Sequence, residues 1–309
     1  MVDFESIRNN FGGLVKTTPV LSSQLLNQEF GNEFYFKCEN FQKGGSFKLR
    51  GAMNAVSKQV QKAKEQGTKL ERIGTHSSGN FAQALAIAGS HFGLETHIVM
   101  PSNAPQVKQD AVAGYGATIH LCEPTVQDRE AKLSELVTSV NLCPFHPYND
   151  QDVIEGQGTA TFELLNQQPC DAVYLPIGGG GLVSGAILAA KKWGIPVVGA
   201  EPENADDAYR GWKSGIRVEH AVPNTIADGL RTTVGSINFP IIQNGITDIV
   251  LVSEKEIIES LKLLYTRLKI VVEPSSAVAF AAAIKSREKG LKLGIVLSGG
   301  NVDLAALPF

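Results

Sequence analysis

The chain has 309 residues, of which 43% are hydrophobic and 19% charged, and its 28 Lys and Arg against 31 Asp and Glu give a formal charge of −3. A length near 300 predicts about two domains, and the apolar fraction is ample for a sizeable core. A mildly acidic chain offers no basic face for phosphates, so nucleic acid is not an expected partner. It also lacks a secretory signal and any run of about 18 apolar residues, which predicts no membrane and a cytoplasmic location.

Short apolar runs bounded by Gly or Pro alternate with segments of helical period, a pattern typical of parallel sheets with crossover helices. In chain order, it predicts a helix that begins near 48 and a strand, helix and strand over 72–101. A helix from 106 and a strand at 117–123 follow, and a second strand, helix and strand unit spans 171–202. The last strand is expected at 294–301.

Two polar or Pro-rich junctions, 62–67 and 144–147, enclose the middle of the chain. We therefore predict a discontinuous large domain, 1–62 and 147–309, and a small mobile domain, 63–146. The four cysteines contain no CxxC pair, so we expect four unbridged thiols.

A helix with Lys48 near its start follows Gly44 and Gly45. The positive end of a helix dipole and desolvation both lower the pKa of an amine, which favours the neutral form that imine formation needs. A lone lysine of this kind is more often an ordinary solvated charge.

Four glycines, Gly178–Gly181, stand between a predicted buried strand and a helix. Such a loop presents backbone N–H groups beside a helix N-terminus, where phosphate binds readily. A dinucleotide site and a purely structural glycine run are the alternatives. The dinucleotide fingerprint fits poorly, because the third glycine, Gly185, comes one position late. A phosphate together with an imine-forming lysine suggests pyridoxal phosphate (PLP).

The loop Thr75–Asn80 joins a predicted strand to a helix. Its hydroxyl and N–H groups either cap the helix or hold the carboxylate of an amino acid substrate.

Together these motifs resemble the β family, or fold type II, of PLP-dependent enzymes, and within it the serine/threonine dehydratase and serine racemase group. The resemblance covers nearly the whole chain, and the order and spacing of the motifs are highly specific. The motifs are SFKLRGAMNA (46–55), THSSGNFAQALA (75–86), MPSNAPQVKQDAVAGYGA (100–117), EGQGTATFELL (155–165), GGGGLVSG (178–185), AEPENADDA (200–208), IADGL (226–230), VEPSSAV (272–278) and LSGGNVD (297–303). The resemblance implies an α/β fold like that of the tryptophan synthase β subunit. It would have two open, twisted, mostly parallel sheets flanked by helices, PLP in the cleft between the domains, and a homodimer.

The resemblance also implies residue roles. Lys48 matches the lysine that forms the imine with PLP on one face, and Ser78 matches an acid or base on the other. Phe47 would pack beside the ring, and Asn80 would bond its 3-hydroxyl. The phosphate would be held by Gly178, Gly179, Gly180 and Gly181, and the substrate carboxylate by Ser77, Ser78, Gly79 and Asn80.

Ser298 would face the pyridine nitrogen. A neutral hydroxyl does not force protonation of that nitrogen, so the carbanion at Cα is less stabilised and elimination of a β-hydroxyl is favoured. Glu201, Ala205 and Asp207 match a divalent-cation site of the family, with oxygen ligands suited to Mg²⁺ or Ca²⁺. The alternative is an acidic loop that faces water.

At two positions the chain departs from the family, so the resemblance does not define the substrate pocket there: Phe81 stands where histidine is usual, and Glu155 where many members have alanine. His146 is expected to be a structural turn residue. The chain ends soon after LSGGNVD, so we expect no appended regulatory domain.

The expected function is PLP-dependent β-elimination from L-threonine or L-serine to a 2-oxo acid and ammonia. Alternatives are serine racemisation, alone or with elimination, and dehydration of 3-hydroxyaspartate, for which Arg129 is a candidate to bind the distal carboxylate. A non-catalytic PLP carrier and a dinucleotide-dependent oxidoreductase are the alternatives from other classes.

Overall fold

A computed structural model describes residues 2–77, 79–104 and 106–309. The described residues contain ten strands: β1 (Val20–Leu21), β2 (Glu33–Cys38), β3 (Arg72–His76), β4 (Glu95–Pro101), β5 (Thr118–Cys122), β6 (Cys143–Pro144), β7 (Ala172–Pro176), β8 (Val197–Pro202), β9 (Asp248–Val252) and β10 (Lys292–Leu297). Their α-helices are α1 (Phe4–Asn9), α2 (Gln24–Phe30), α3 (Lys48–Glu65), α4 (Asn80–Phe92), α5 (Gln106–Ala113), α6 (Val126–Ser139), α7 (Gln151–Gln167), α8 (Gly181–Ala190), α9 (Asp207–Ser214), α10 (Asn238–Gly245), α11 (Glu254–Leu263) and α12 (Pro274–Ile284).

These strands form two sheets. The larger has the order β1-β2-β10-β7-β8-β9, and the smaller has the order β5-β4-β3-β6. Apart from the antiparallel pair β1 and β2, the pairings are parallel. The predicted fold, two mostly parallel sheets flanked by helices, is confirmed.

The apolar runs become strands because helices cover both faces of the larger sheet. In β8, for example, all six residues are buried. Close packing of α7 against α8 depends on two glycines. A Cβ atom at Gly158 would lie 2.6 Å from the carbonyl oxygen of Gly185, and one at Gly185 would lie 2.5 Å from the amide nitrogen of Gly158.

The motif residues follow the carboxyl ends of parallel strands, where open α/β sheets bind their ligands. The segment 77–80 follows β3 in the smaller sheet, whereas Gly178–Gly181 follow β7 and Ser298 follows β10 in the larger one. The topology therefore gathers motifs from distant parts of the sequence at the ends of both sheets.

The strands of the smaller sheet lie between residues 72 and 144, inside the predicted small domain. The predicted boundary at 62/63 falls within α3, and the domain limits stay a prediction. All four cysteines are unbridged, as expected. None of the helices in the described residues is long and apolar enough to cross a bilayer.

Candidate functional site

Lys48 is the first residue of α3, and its side chain is half-buried. The Nζ atom donates a hydrogen bond to the carbonyl oxygen of Pro147 at 2.9 Å. It also lies 5.1 Å from the ring centre of Phe47 and 5.8 Å from that of Phe81. Burial lowers the pKa of Lys48 to about 8, against the opposing charge of Glu273. The amine thus has a substantial neutral fraction near physiological pH.

The glycine loop leads from β7 into α8. Gly180 has φ of 91°, a left-handed conformation that favours glycine, and a Cβ atom there would lie 2.9 Å from that of Asn238. A side chain at Gly179 would collide with the ring of Tyr148. Within residues 2–77, 79–104 and 106–309, no acceptor is bonded to the N–H groups of Gly178–Gly181. Packing against Tyr148 accounts for part of the glycine run, and the free amides at a helix start fit a phosphate.

The loop before α4 contains the residues that sequence patterns associate with a substrate carboxylate. The N–H of Ser77 donates to the carbonyl oxygen of Val99 at 3.1 Å, and the N–H of Gly79 donates to Oγ of Ser77 at 3.4 Å. Asn80 begins α4. Ser78, the predicted acid or base, lies outside the described residues.

Ser298 is buried at the end of β10, and its Oγ lies 3.1 Å from Oγ of Ser276. The Ser276 hydroxyl donates to the carbonyl oxygen of Gly299 at 2.8 Å and accepts from its N–H at 2.9 Å. Among the described residues, no carboxylate is hydrogen-bonded to Ser298. The partner that this position offers to a ligand is therefore a neutral hydroxyl.

His146 serves the turn before α7, as predicted. Its Nδ1 accepts from the N–H groups of Tyr148 at 3.3 Å and Asn149 at 2.8 Å. Burial, with smaller contributions from His76 and Lys48, lowers the pKa of His146 to about 4. The ring is therefore neutral, and Nδ1 is occupied as an acceptor.

The structure shows where the two departures from the family pattern, Phe81 and Glu155, lie. Phe81 is buried beside Lys48. Glu155 accepts from Nζ of Lys58 at 2.6 Å. Lys58 lies ten residues beyond Lys48 on α3, about 15 Å along its axis. Glu155 thus contacts a distant part of the helix, and its expected effect on the substrate pocket finds no support.

Arg129 lies on α6. Its Nε donates to the carbonyl oxygen of Thr125 at 3.3 Å. Burial lowers the pKa of His76, and the nearby positive charge of Arg129 lowers it further. The structure therefore places a cation within electrostatic range of the histidine that ends β3.

Of the three predicted metal ligands, Glu201 lies in β8, Ala205 in the loop that follows, and Asp207 at the first position of α9. Glu201 and Asp207 are buried, with 0% and 4% exposure. Glu201 accepts from the N–H groups of Ala208 at 3.0 Å and Tyr209 at 2.7 Å, and Asp207 accepts from that of Val234 at 2.9 Å. Neither forms a salt bridge within the described residues. Burial is the main cause that raises both pKa values, well above the usual range for Glu201 and to about 6 for Asp207.

Two buried carboxylates without a salt-bridge partner suit a divalent cation, and the predicted Ala205 carbonyl would add a third oxygen. Within the described part of the chain, no cluster of three or more His, Cys, Asp or Glu side chains is arranged for a metal. The donor set is thus limited to these two carboxylates and backbone oxygen.

Sequence reasoning assigned no role to Glu273, Ser276 or Asn301, although all three lie in quoted motifs. Glu273 accepts from Nδ2 of Asn80 with both oxygens, at 3.1 and 3.0 Å. Burial raises the pKa of Glu273 to about 7. Residue spacing could not indicate that the buried Glu273 lies near Asn80 and Lys48, because Glu273 and Asn80 are almost 200 positions apart in the chain.

Comparison with known proteins agrees with this arrangement. Residues 13–299 match the family described as pyridoxal-phosphate dependent enzyme. The chain belongs to this family. The fold type II prediction and the prediction of PLP as cofactor are thereby confirmed, and the dinucleotide alternative is not supported.

Two relatives and one solved structure indicate which members of the family this chain resembles. Serine racemase from Dictyostelium discoideum is 43% identical, over 99% of this chain and 95% of that protein. The beta-hydroxyaspartate dehydratase from Paracoccus denitrificans is 41% identical, over 96% of this chain and 94% of that protein. A crystal structure of the Dictyostelium serine racemase superimposes with a TM-score of 0.91, covering 97% of this chain and 98% of that one. These relatives favour the two predicted alternatives over the expected threonine or serine dehydratase.

Proposed function

We propose that the protein acts on L-serine and related 3-hydroxy amino acids, racemising serine and eliminating water from it. The observation that carries this proposal is the half-buried amine of Lys48, held at 2.9 Å from the Pro147 carbonyl with a pKa of about 8. When bound, PLP supplies the electron sink for chemistry at Cα. The similarity to serine racemases and 3-hydroxyaspartate dehydratases supports the choice of substrate class.

The residues of the chain divide the work. The amides of Gly178–Gly181 would hold the phosphate, Phe47 would pack beside the ring and Asn80 would donate to its 3-oxygen. Ser77, Ser78, Gly79 and Asn80 would hold the substrate carboxylate at the cleft.

Proton transfer would use both faces of the substrate. Lys48 removes the Cα proton from one face, and Ser78 delivers a proton to the other when serine is racemised. In elimination, the β-hydroxyl takes up a proton and leaves as water, so the substrate loses its Cα proton and its hydroxyl together. The released enamine then consumes one water as it hydrolyses to a 2-oxo acid and ammonia. The neutral Ser298 and Ser276 pair favours elimination as a parallel outcome, because it does not force protonation of the pyridine nitrogen.

Glu201, Ala205 and Asp207 would hold Mg²⁺ or Ca²⁺ away from the reacting atoms. The homodimer and the cytoplasmic location stay predictions.

A substrate series tests the proposal. PLP-loaded protein is incubated with L-serine, L-threonine and both diastereomers of 3-hydroxyaspartate, and 2-oxo acid and D-enantiomer are measured. We expect D-serine and pyruvate from L-serine, and a loss of both by at least about 10²–10⁴-fold in Lys48→Ala. The matched control is Lys43→Ala, which removes an exposed lysine of the preceding loop and should change neither rate. Oxo acid from L-threonine alone would contradict the choice of serine.

Dehydration of 3-hydroxyaspartate is a second candidate, supported by the charge of Arg129 near His76 at the end of β3 and by the similarity to a beta-hydroxyaspartate dehydratase. A cation there would pair with the distal carboxylate. We expect Arg129→Gln to lower kcat/KM for the preferred 3-hydroxyaspartate diastereomer by about 10- to 100-fold, with a much smaller effect for L-serine. Equal losses for both substrates would remove this role from Arg129.

A further inference from the structure

The side chain of Asn80 forms hydrogen bonds with two residues that lie far away in the sequence, Glu273 and Asn301. Its Nδ2 donates to both oxygens of Glu273 at 3.1 and 3.0 Å, and its Oδ1 accepts from Nδ2 of Asn301 at 2.9 Å. The same Asn301 nitrogen donates to the carbonyl oxygen of Gly44 at 2.8 Å. Asn80 follows β3 of the smaller sheet. Glu273 directly precedes α12, and Asn301 follows β10 of the larger sheet. We call Asn80, Glu273 and Asn301 the cleft triad.

The partners at the two ends of the triad determine the amide orientations. The Gly44 carbonyl only accepts hydrogen bonds, so it requires the nitrogen of Asn301, which also donates to Oδ1 of Asn80 and leaves the Asn80 nitrogen facing Glu273. Glu273 accepts there in its ionised form, which prevails above its pKa of about 7. A flipped Asn80 would bring its oxygen against the Glu273 carboxylate and lose the N–H bond that both carboxylate oxygens share. In the observed orientation the second N–H of Nδ2 stays available to a ligand. The bonds therefore select one amide orientation at Asn80.

Glu273 is in turn firmly placed. It is only 3% exposed and is the residue that precedes α12, whose positive N-terminal end favours an anion. Its N–H donates to the carbonyl oxygen of Gly299 at 3.0 Å, and a Cβ atom at Gly299 would lie 2.9 Å from Oε1 of Glu273. The carboxylate thus lies in a slot that only glycine leaves open, and it contacts Asn80 from there.

We propose that Glu273 is a positioning residue that, together with Asn301, holds the Asn80 amide so that it donates to the ring 3-oxygen of bound PLP. This inference rests on the proposed function. An N–H donor stabilises the anionic form of that oxygen, whereas an amide oxygen at the same place would repel it. Glu273 would act on the cofactor through Asn80, without touching it.

Glu273→Gln is the decisive variant, because glutamine has nearly the same shape but no longer dictates which end of the Asn80 amide faces it. We expect PLP affinity, measured by equilibrium dialysis of the apoprotein, to fall about tenfold. The absorption band of the bound cofactor, expected at the short-wavelength end of the visible range, should shift to a shorter wavelength in this variant, because the 3-oxygen regains its proton. Glu256→Gln is the matched control, since Glu256 lies in the first turn of α11 and is bonded to Ser253 and Lys285. It should change neither property.

Coupling with Asn80 separates positioning from a general loss of structure. In the background of Asn80→Ala, Glu273→Gln should cause a much smaller further loss of PLP affinity, limited to the effect of its charge on Lys48, because its route through Asn80 is gone. Additive losses, or wild-type affinity and spectrum in Glu273→Gln, would overturn the inference. If the wild-type chain itself bound no PLP, the proposed function would fail instead, so the two failures are distinguishable.

Discussion

Two buried regions of this protein hold carboxylates in opposite electrostatic settings. In the first, Arg50 lies between Glu39 and Glu163, with Nε 2.7 Å from Glu39 and Nη2 2.8 Å from Glu163, and Nζ of Lys37 lies 2.7 Å from Glu163. We call these four residues the compensated cluster. In the second, Glu201 and Asp207 are equally buried but receive backbone N–H groups in place of cations.

The pKa values record this difference. Burial alone would raise the pKa of Glu163, but the charges of Arg50 and Lys37 outweigh it and lower the value. Burial raises the pKa of Glu201 well above its usual range, and the charge of Asp207 adds to the rise. The charges of the first region balance one another, and its Arg50 lies on α3, the helix that carries Lys48. In the second region Asp207 feels the charge of Arg210, but neither carboxylate forms a salt bridge among the described residues, a setting that a divalent cation would complete.

The largest expected effect is the loss of the central cation of the compensated cluster. Arg50→Met should lower the free energy of unfolding by about 3–5 kcal/mol, because two buried glutamates lose their main partner. Urea unfolding measures this change. The control is Arg8→Met, since Arg8 also contacts Glu163, at 3.2 Å, but is 29% exposed and should cost less than about 1 kcal/mol. Equal costs for the two variants would show that the cluster contributes no more than a surface pair.

Replacing one carboxylate by its amide should change the free energy of unfolding in opposite directions in the two regions. Asp207 has its pKa raised from 3.8 to about 6, so its folded form loses stability as pH rises through that interval. Asp207→Asn should therefore stabilise the metal-free protein by up to about 3 kcal/mol at pH 8. Glu163→Gln, in the compensated cluster, should destabilise it. Stability is measured by urea unfolding in a chelator, and destabilisation by both substitutions would remove the contrast.

Addition of a divalent cation should affect the second region alone. A cation at about 100 times its Kd stabilises a folded protein by about 2.7 kcal/mol. We expect Mg²⁺ or Ca²⁺ to raise the Tm of the chelator-treated wild type and of Glu163→Gln. Asp207→Asn should show no such rise. An unchanged wild-type Tm with both ions would contradict the metal proposal.

The smallest effect is expected where charges face solvent. Nζ of Lys58 lies 2.7 Å from Asp152 and 2.6 Å from Glu155, but its side chain is 41% exposed. Lys58→Ala should therefore cost less than about 1 kcal/mol, and the cost should shrink further in high salt. A loss comparable with that of Arg50→Met would mean that burial does not separate these ion pairs.

Local patterns were sufficient to predict the strand, glycine loop and helix around 172–202, because apolar runs and helical periods can be recognised within short segments of the sequence. The interpretation of Lys48 also needed only its place at a helix start and a phosphate loop elsewhere. The turn role of His146 followed from the same local view, and the structure agrees with it.

Contacts between distant segments could not be predicted in this way. Glu273 and Asn301 meet Asn80 only because two sheets bring their strand ends together. Glu155 is the reverse case. Its place in a motif suggested a pocket residue, but helical geometry directs it toward Lys58.

The central claim is that Lys48 is the residue that binds PLP covalently. The most direct measurement is borohydride reduction of the PLP-loaded protein, followed by trypsin digestion and mass spectrometry. Trypsin cleaves after Lys43 and Arg50 but not after a modified Lys48, so we predict an intact peptide 44–50 that carries one phosphopyridoxyl group. A phosphopyridoxyl group on another lysine, or unmodified Lys48 in protein that has bound PLP, would contradict the account.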